Sequence, residues 1–415
     1  MHRLQRVAIQ AQWPFQQLAD ALLRRLPRDP RLVAMGSPLE RFADNAAYLF
    51  LYLAERPGDL RPVWISGSRS TVERVRDHGY EAQLRWSWSG ARTCLRAGTY
   101  VYSGYRSDIN RWFASPATNV CLWHGIPIKR ILRDVPGAPG DGSRFARLGR
   151  TGEEPAPDRL LSSTRDITRL CFVRAFGLSE DRCWELGYPR NDHLVASPRA
   201  PHRAMIGRRD LLDRIEEADL VVGMFFTWRD DSAVDVAADG LVDRLAELCA
   251  DRGALLVYKA HYNVAPVDVD QDRCVHLPPD ADLNAYLGFC DVLVTDYSSV
   301  ALDFLVLARP TVYYMPDVER YVAKRGFYFD PLHLPGTVTR DQTSLLRAVQ
   351  ELLAAPRPLP RDPGAADLCR RVWGDFDGHA VAAVAAELRR DIGSRLARAA
   401  PDGPRGEGGR AGAPG

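Results

Sequence analysis

No stretch of the chain is apolar over the ~18 residues that a bilayer crossing needs; the longest apolar runs, Ala46 to Ala54 and Ala301 to Ala308, have the length of a strand or a core helix. The basic start Met1-His-Arg-Leu-Gln-Arg6 lacks an apolar core behind it, because Gln10, Gln12, Gln16 and Gln17 interrupt one, so a cytoplasmic chain is expected. Cysteines number eight and form no CxxC pair. Several sit in apolar runs such as Asn119-Val-Cys-Leu-Trp123, which reads as buried free thiols in a reducing compartment. Charge of one sign is also missing: 55 Lys+Arg against 53 Asp+Glu leave a formal net charge of +2, and nothing in that balance argues for nucleic acid. GxxxxGK[ST], HExxH and GxSxG are all absent. Three Asp-x-Asp matches (Asp268 and Asp270, Asp280 and Asp282, Asp375 and Asp377) are what an acid-rich chain contains by chance, and none reads as a metal site. His2, His78, His193, His202, His276 and His333 have no repeated ligand spacing, and Trp86 and Trp88 read as core or packing rather than a base-stacking platform.

What is present is an ordinary globular composition, 46% hydrophobic and 26% charged over 415 residues, enough for about two or three domains. From Trp13 to Leu26 apolar residues recur at near-helical spacing with Arg24, Arg25, Arg28 and Arg31 close behind. That segment reads either as a membrane-surface helix or as a helix packed on its own domain. Helices and short apolar strands then alternate: a helix over Asp44 to Glu55, strand Pro62 to Ser66, a helix over Ser70 to His78, and strands at Tyr100 to Tyr102 and Asn119 to Trp123. A Gly- and Pro-rich loop, a lid or a plain insertion, fills Asp134 to Asp158. A second alternating series runs from Leu220 to Tyr314, and Val372 to Ala399 reads as helical. The expected organisation is α/β, with two Rossmann-like domains facing each other across a cleft: a basic amphipathic segment over 1–35, domains over 36–205 and 206–375, a helix over 376–398 and a disordered tail over 399–415.

Ligands of open α/β sheets bind at the carboxyl ends of the strands, so polar residues that directly follow a buried strand are the ones to inspect. His124, Gly125 and Lys129 follow Asn119 to Trp123; they suit a general base with a close-approach glycine and a cationic partner, or a histidine satisfied within its loop. Lys259 and His261 follow Ala254 to Tyr258 and stand two apart, on one side of an extended chain. Both are donors suited to phosphate. In Thr295-Asp296-Tyr-Ser298-Ser299 a strand turns into a helix, and free N–H groups with two hydroxyls at the turn suit a pyrophosphate or simple capping.

At these residues the chain resembles the CDP-glycerol:poly(glycerophosphate) glycerophosphotransferase family, the teichoic-acid primases and polymerases, which are GT-B-like. In order the resemblance includes Phe42-Ala-Asp-Asn45, Trp123-His-Gly-Ile-Pro-Ile-Lys129, Gly187-Tyr-Pro-Arg190-Asn191-Asp192, Thr227-Trp-Arg229-Asp230-Asp231, Lys259-Ala-His261, Thr295-Asp-Tyr-Ser-Ser299 with Asp303-Phe304, Arg309-Pro310 and Asp377-Gly378. Ile126, the pair Phe225-Phe226, Tyr262 and His379 depart from the family pattern and bear on which donor alcohol and acceptor are used.

The resemblance implies a phosphotransferase that moves glycerol phosphate from CDP-glycerol to a hydroxyl of a lipid-linked wall or capsule polymer and releases CMP. His124 would be the base, and His261 with Lys259, Ser298 and Ser299 would hold the donor phosphates; Lys129, Arg190, Asn191, Arg229, Asp230 and Asp296 are family-motif positions without an assigned role. No cofactor or metal is required by the sequence. The expected place is the inner face of the cell membrane, bound peripherally. A CDP-ribitol phosphotransferase, a GT-B nucleotide-sugar glycosyltransferase and a silent polymer-binding protein are the other readings, the last opposed by the intact His124 and His261.

Overall fold

A computed structural model describes residues 23, 25–56, 58–136, 155–195, 203–226, 240–259 and 274–399 of the chain. Seven strands form the first sheet: β1 (Asp29–Gly36), β2 (Arg61–Ser66), β3 (Ala82–Leu84), β4 (Ala97–Tyr102), β5 (Thr118–Cys121), β6 (Arg159–Ser162) and β7 (Cys183–Glu185). Six form the second: β8 (Val221–Phe225), β9 (Leu255–Lys259), β10 (Cys274–Leu277), β11 (Val292–Thr295), β12 (Thr311–Tyr314) and β13 (Thr337–Thr339). The orders are β3-β2-β1-β4-β5-β6-β7 and β10-β9-β8-β11-β12-β13, with every pairing parallel.

Parallel strands covered on both faces read as continuous apolar runs. Val33-Ala-Met35 in β1 and Val292-Leu-Val294 in β11 are such runs, fully buried. Each sheet changes winding direction once, between β1 and β4 and between β8 and β11, which opens a crevice at the carboxyl ends there. The ends are level. Gly36 stands opposite Tyr102 and Tyr102 opposite Cys121 in the first sheet; Thr295 stands opposite Phe225 and Phe225 opposite Lys259 in the second.

Phe42, Phe50 and Trp64 pack edge to face in the first core, with centroids 4.6 to 5.7 Å apart. That core continues through Trp123, Tyr188 and Trp373 to Tyr297 and Phe304 of the second domain, while a separate cluster including Leu245, Leu256, Val294 and Leu345 covers the other face of the second sheet. The helical stretch expected over Val372 to Ala399 is two helices, Pro363–Trp373 and Ala380–Ala399, because Gly374 and Gly378 take positive φ between them. Ala380–Ala399 returns to the first domain: Asp192 accepts from the N–H groups of Ala380 (3.0 Å) and Val381 (2.7 Å), Arg159 pairs with Asp391, and Arg395 reaches Thr99 and Thr118.

Two expectations need correction. The basic segment 1–35 does not end where expected, since β1 already begins at Asp29. Arg28 is no free surface cation, for it donates to the carbonyls of Cys94 (3.3 Å), Ala97 (2.7 Å) and Phe113 (2.7 Å). Trp86 and Trp88 are not core: they are 63% and 87% exposed. Residues 1–22, 24, 137–154 and 400–415, with most of the amphipathic segment, most of the Gly- and Pro-rich loop and the tail, lie outside the described residues.

Candidate functional site

β5 delivers its end to the cleft through a strained turn. Trp123 holds φ at 53°, a region that side chains larger than glycine rarely adopt. Asn45, fully buried at the start of the helix Asp44–Glu55, steadies the turn by donating to the carbonyls of Leu122 (3.3 Å) and Trp123 (3.0 Å). The Trp123 indole lies against the His124 ring at 4.1 Å.

His124 Nδ1 stands 3.2 Å from the Ser103 carbonyl. A carbonyl only accepts, so this bond places the proton on Nδ1 and leaves Nε2 with its lone pair. The residue is exposed, with Trp123 and the Ser103 carbonyl packed against its ring. That packing lowers the imidazole pKa from 6.5, assisted by Arg190 and Arg41 and opposed by Asp44 and the Ser103 carbonyl. The imidazole is thus biased toward its neutral form. Gly125 follows with φ at 133°, and a Cβ there would lie 2.6 Å from Arg190 Nη2 and 3.2 Å from Ser299 Oγ.

That second distance joins the two sheets. Ser298 and Ser299 are half-buried at the turn after β11; Ser299 is the N-cap residue of the helix Val300–Phe304, and its side chain makes no capping bond. Ser298 Oγ is 3.5 Å from the Val300 nitrogen. Five residues make a weak dipole, so the N–H groups and hydroxyls are what this turn can offer an anion. Asp296 is buried just before it. From the level end of β9, Lys259 donates to the Ala281 carbonyl at 2.6 Å; burial and Arg41 bring its ammonium down to about 8, against the pull of Asp282 and Asp280.

A buried polar network joins the halves. Arg190 Nη1 donates to the His124 carbonyl (2.8 Å) and to Asp44 (3.2 Å), and Nη2 to Asp303 (2.6 Å). Asn191 donates to Asp303 (3.2 Å) and accepts from Asn284 (3.1 Å). Asp282, far along the chain, accepts the Asp44 N–H at 2.7 Å. Burial works against the Arg190 charge, but Asp303 and Asp44 outweigh it and raise its pKa. Asp303 is pushed up by burial to about 6, against the pull of Arg190 and Asn191.

The structure thus brings His124, Gly125, Arg190, Asn191 and Ser299 together. Lys129 lies on a seam between the domains: its backbone bridges to Phe327 and its ammonium lies 3.3 Å from the Tyr321 hydroxyl, a seam continued by Arg130 N–H to Gly326 and Tyr328 N–H to Ile128. Arg229, Asp230 and His261 lie outside the described residues. The sequence reading assigned no role to Asp44, Asn45, Asp282, Asn284 or Asp303, and passed over Arg41. Arg41 follows β1, a strand that did not show in the sequence; among the described residues its Nε is buried without a hydrogen-bond partner. A groove of about 480 Å³ between β7 and the helix Ala380–Ala399, lined by Arg159, Trp184, Glu185 and Arg390, contains none of these residues.

Comparison with known proteins bears on the family and the fold. The chain is 29% identical over 345 residues to the teichoic acid glycerol-phosphate transferase of Staphylococcus aureus, covering 80% of this chain and 86% of that protein. It is 27% identical over 352 residues to the teichoic acid poly(glycerol phosphate) polymerase of Bacillus spizizenii, with 79% and 84% covered; of the corresponding polymerase of Staphylococcus epidermidis, 28% identical, it spans only 44%. Among solved structures the fold matches the wall teichoic acid polymerase TagF with a TM-score of 0.71 at 22% identity, covering 92% of this chain and 94% of that one. The sequence model of the family matches residues 19–358, and the chain therefore belongs to the CDP-glycerol:poly(glycerophosphate) glycerophosphotransferases, enzymes that transfer glycerol phosphate from CDP-glycerol.

Proposed function

We propose that the acceptor is a hydroxyl of a teichoic-acid-like or capsular polymer on a lipid carrier, and that His124 is the base that activates it. The acceptor oxygen attacks the phosphorus bearing glycerol as its proton passes to His124 Nε2. A new P–O bond forms, the bond from that phosphorus to the bridging oxygen breaks, and its electron pair leaves on CMP. Transfer of this kind depends on alignment and on neutralising charge at the leaving oxygen. Lys259, Ser298 and Ser299, with His261, are suited to hold the donor phosphates; these cations and donors take the part a metal ion would otherwise play, so chelation by EDTA should leave turnover unchanged.

The observation that carries this reading is the His124 tautomer, with Nε2 free on a turn whose glycine lies against Ser299. His124→Ala should cut CMP release by roughly 10²-fold or more while donor binding is nearly kept. Wild-type turnover in that variant would remove the mechanism. CDP-ribitol and UDP-sugars run beside CDP-glycerol separate the other donor readings.

Peripheral attachment to an anionic membrane belongs to the proposal, since a lipid-linked acceptor stays at a surface. Arg25, Leu26 and Arg31 are exposed beside the first strand, and Trp86 and Trp88 project after the carboxyl end of β3; basic residues and exposed tryptophans are the side chains that favour a lipid interface.

A further inference from the structure

We propose that Arg190 is a positioning residue for transfer: its guanidinium ties the His124 main chain to the helix that begins at Ser299, so base and phosphate turn keep one spacing. The inference rests on His124 acting as the base. Three bonds diverge from one planar group. Nη1 holds the His124 carbonyl at 2.8 Å and Asp44 at 3.2 Å; Nη2 holds Asp303 at 2.6 Å, on the same short helix as Val300 and about one turn beyond Ser299. Arg190 is itself set by Asn45, whose Oδ1 accepts its N–H at 3.1 Å while Nδ2 holds Leu122 and Trp123. The residue therefore grips the first domain by Asp44, Asn45 and His124 and the second by Asp303.

The fork matters more than the charge. Guanidinium presents donors in a rigid plane that two carboxylates and a carbonyl can share, whereas an ammonium is a point charge on a flexible stem without that fork. The groups whose fields reach His124 are Asp44 on its helix, Arg190, and Arg41 after β1. Of these, Arg190 and Arg41 disfavour the imidazolium and Asp44 favours it.

The test uses the full chain with CDP-glycerol and an acceptor analogue. Arg190→Lys and Arg190→Gln are compared with wild type and with His124→Ala, measuring kcat, donor KM, the pH profile of kcat/KM and thermal unfolding. Arg190→Lys should lower kcat by about 10²-fold, the effect of a displacement near 1 Å, with donor KM within about threefold. Arg190→Gln should in addition move the acidic limb upward, since Asp44 is then opposed by Arg41 alone among these charges. Asp303→Asn keeps shape and a hydrogen bond to the guanidinium; it serves where Arg190→Gln does not fold, and should lower kcat in the same sense with less loss of stability. Variants whose kcat per folded molecule is that of wild type, or whose donor KM rises as much as kcat falls, would overturn the positioning role. A His124→Ala protein with wild-type turnover would instead overturn the base assignment on which it rests.

Discussion

Gly125→Ala is the smallest change that tests how closely the two domains must meet. The new Cβ would stand 2.6 Å from Arg190 Nη2, while ordinary contact begins near 3.4 Å, so roughly 0.8 Å of separation must be found. A free arginine tip would swing away at little cost. This one is held by Asp44, Asp303 and the His124 carbonyl, and on the other side Ser299 Oγ is already 3.2 Å from the same Cβ. With φ at 133°, alanine is strained there even before contact, which costs about 1–3 kcal/mol of stability. A shift close to 1 Å between base and phosphate turn should lower kcat by roughly 10²-fold. CMP release with CDP-glycerol gives the rate, and thermal unfolding with CMP titration shows whether fold and nucleotide binding survive. A folded Gly125→Ala enzyme within twofold of wild type would refute the reasoning, because the closeness of Gly125 to Arg190 and Ser299 would then be irrelevant to the reaction.

Other outcomes follow from the same geometry. The imidazole of His124 is held below 6.5, so kcat/KM should fall only as pH drops beneath that value; an acidic limb above 6.5 in the wild type would contradict its environment. Lys259 is charged below about 8 in the free enzyme; phosphate favours the ammonium, so donor binding should take up a proton above that pH and donor KM should rise there, which Lys259→Met should abolish. Replacing Ser298 and Ser299 together by Ala removes hydroxyls but keeps the N–H groups, and should weaken donor binding by about 1–3 kcal/mol with a smaller effect on CMP; unchanged titrations for both would place the phosphates elsewhere. Co-sedimentation with anionic vesicles should weaken at high salt and fall further in Arg25→Gln/Arg31→Gln and in Trp86→Ala/Trp88→Ala; no vesicle binding by the wild type at any salt would end the membrane proposal.

How much of this was legible in the sequence depended on range. The run Val292-Leu-Val-Thr295 reads as a buried strand because four apolar or β-branched residues follow one another, and the D-x-S-S turn announces its end. Strand β1 was missed because Arg28, Pro30 and Arg31 make its entrance look like surface, whereas the Arg28 charge is spent on three carbonyls. Trp86 and Trp88 misled in the opposite sense, since composition alone assigns large indoles to cores. The contact of Asp44 with Asp282 spans 238 residues, and no local pattern carries it. Asp282 stood out in the sequence only as part of an Asp-x-Asp match, and its task in holding the start of the helix Asp44–Glu55 could be read only from the folded chain. For the same reason the meeting of the Lys129 ammonium with Tyr321 of the other domain could not be read from the sequence.

The return of Ala380–Ala399 to the first sheet makes that domain discontinuous along the chain. Residues ahead of β8 do not contain everything that closes it, for Asp192 caps a helix far downstream and Arg395 reaches Thr99 and Thr118. The second domain is in effect an insertion within the first. Recombination between relatives that exchanges the second domain whole therefore has to cut twice, before β8 and ahead of Ala380, whereas a single crossover between β7 and β8 would join one enzyme's sheet to another's closing helix and break the Arg159–Asp391 and Arg395–Thr99 contacts unless both partners came along.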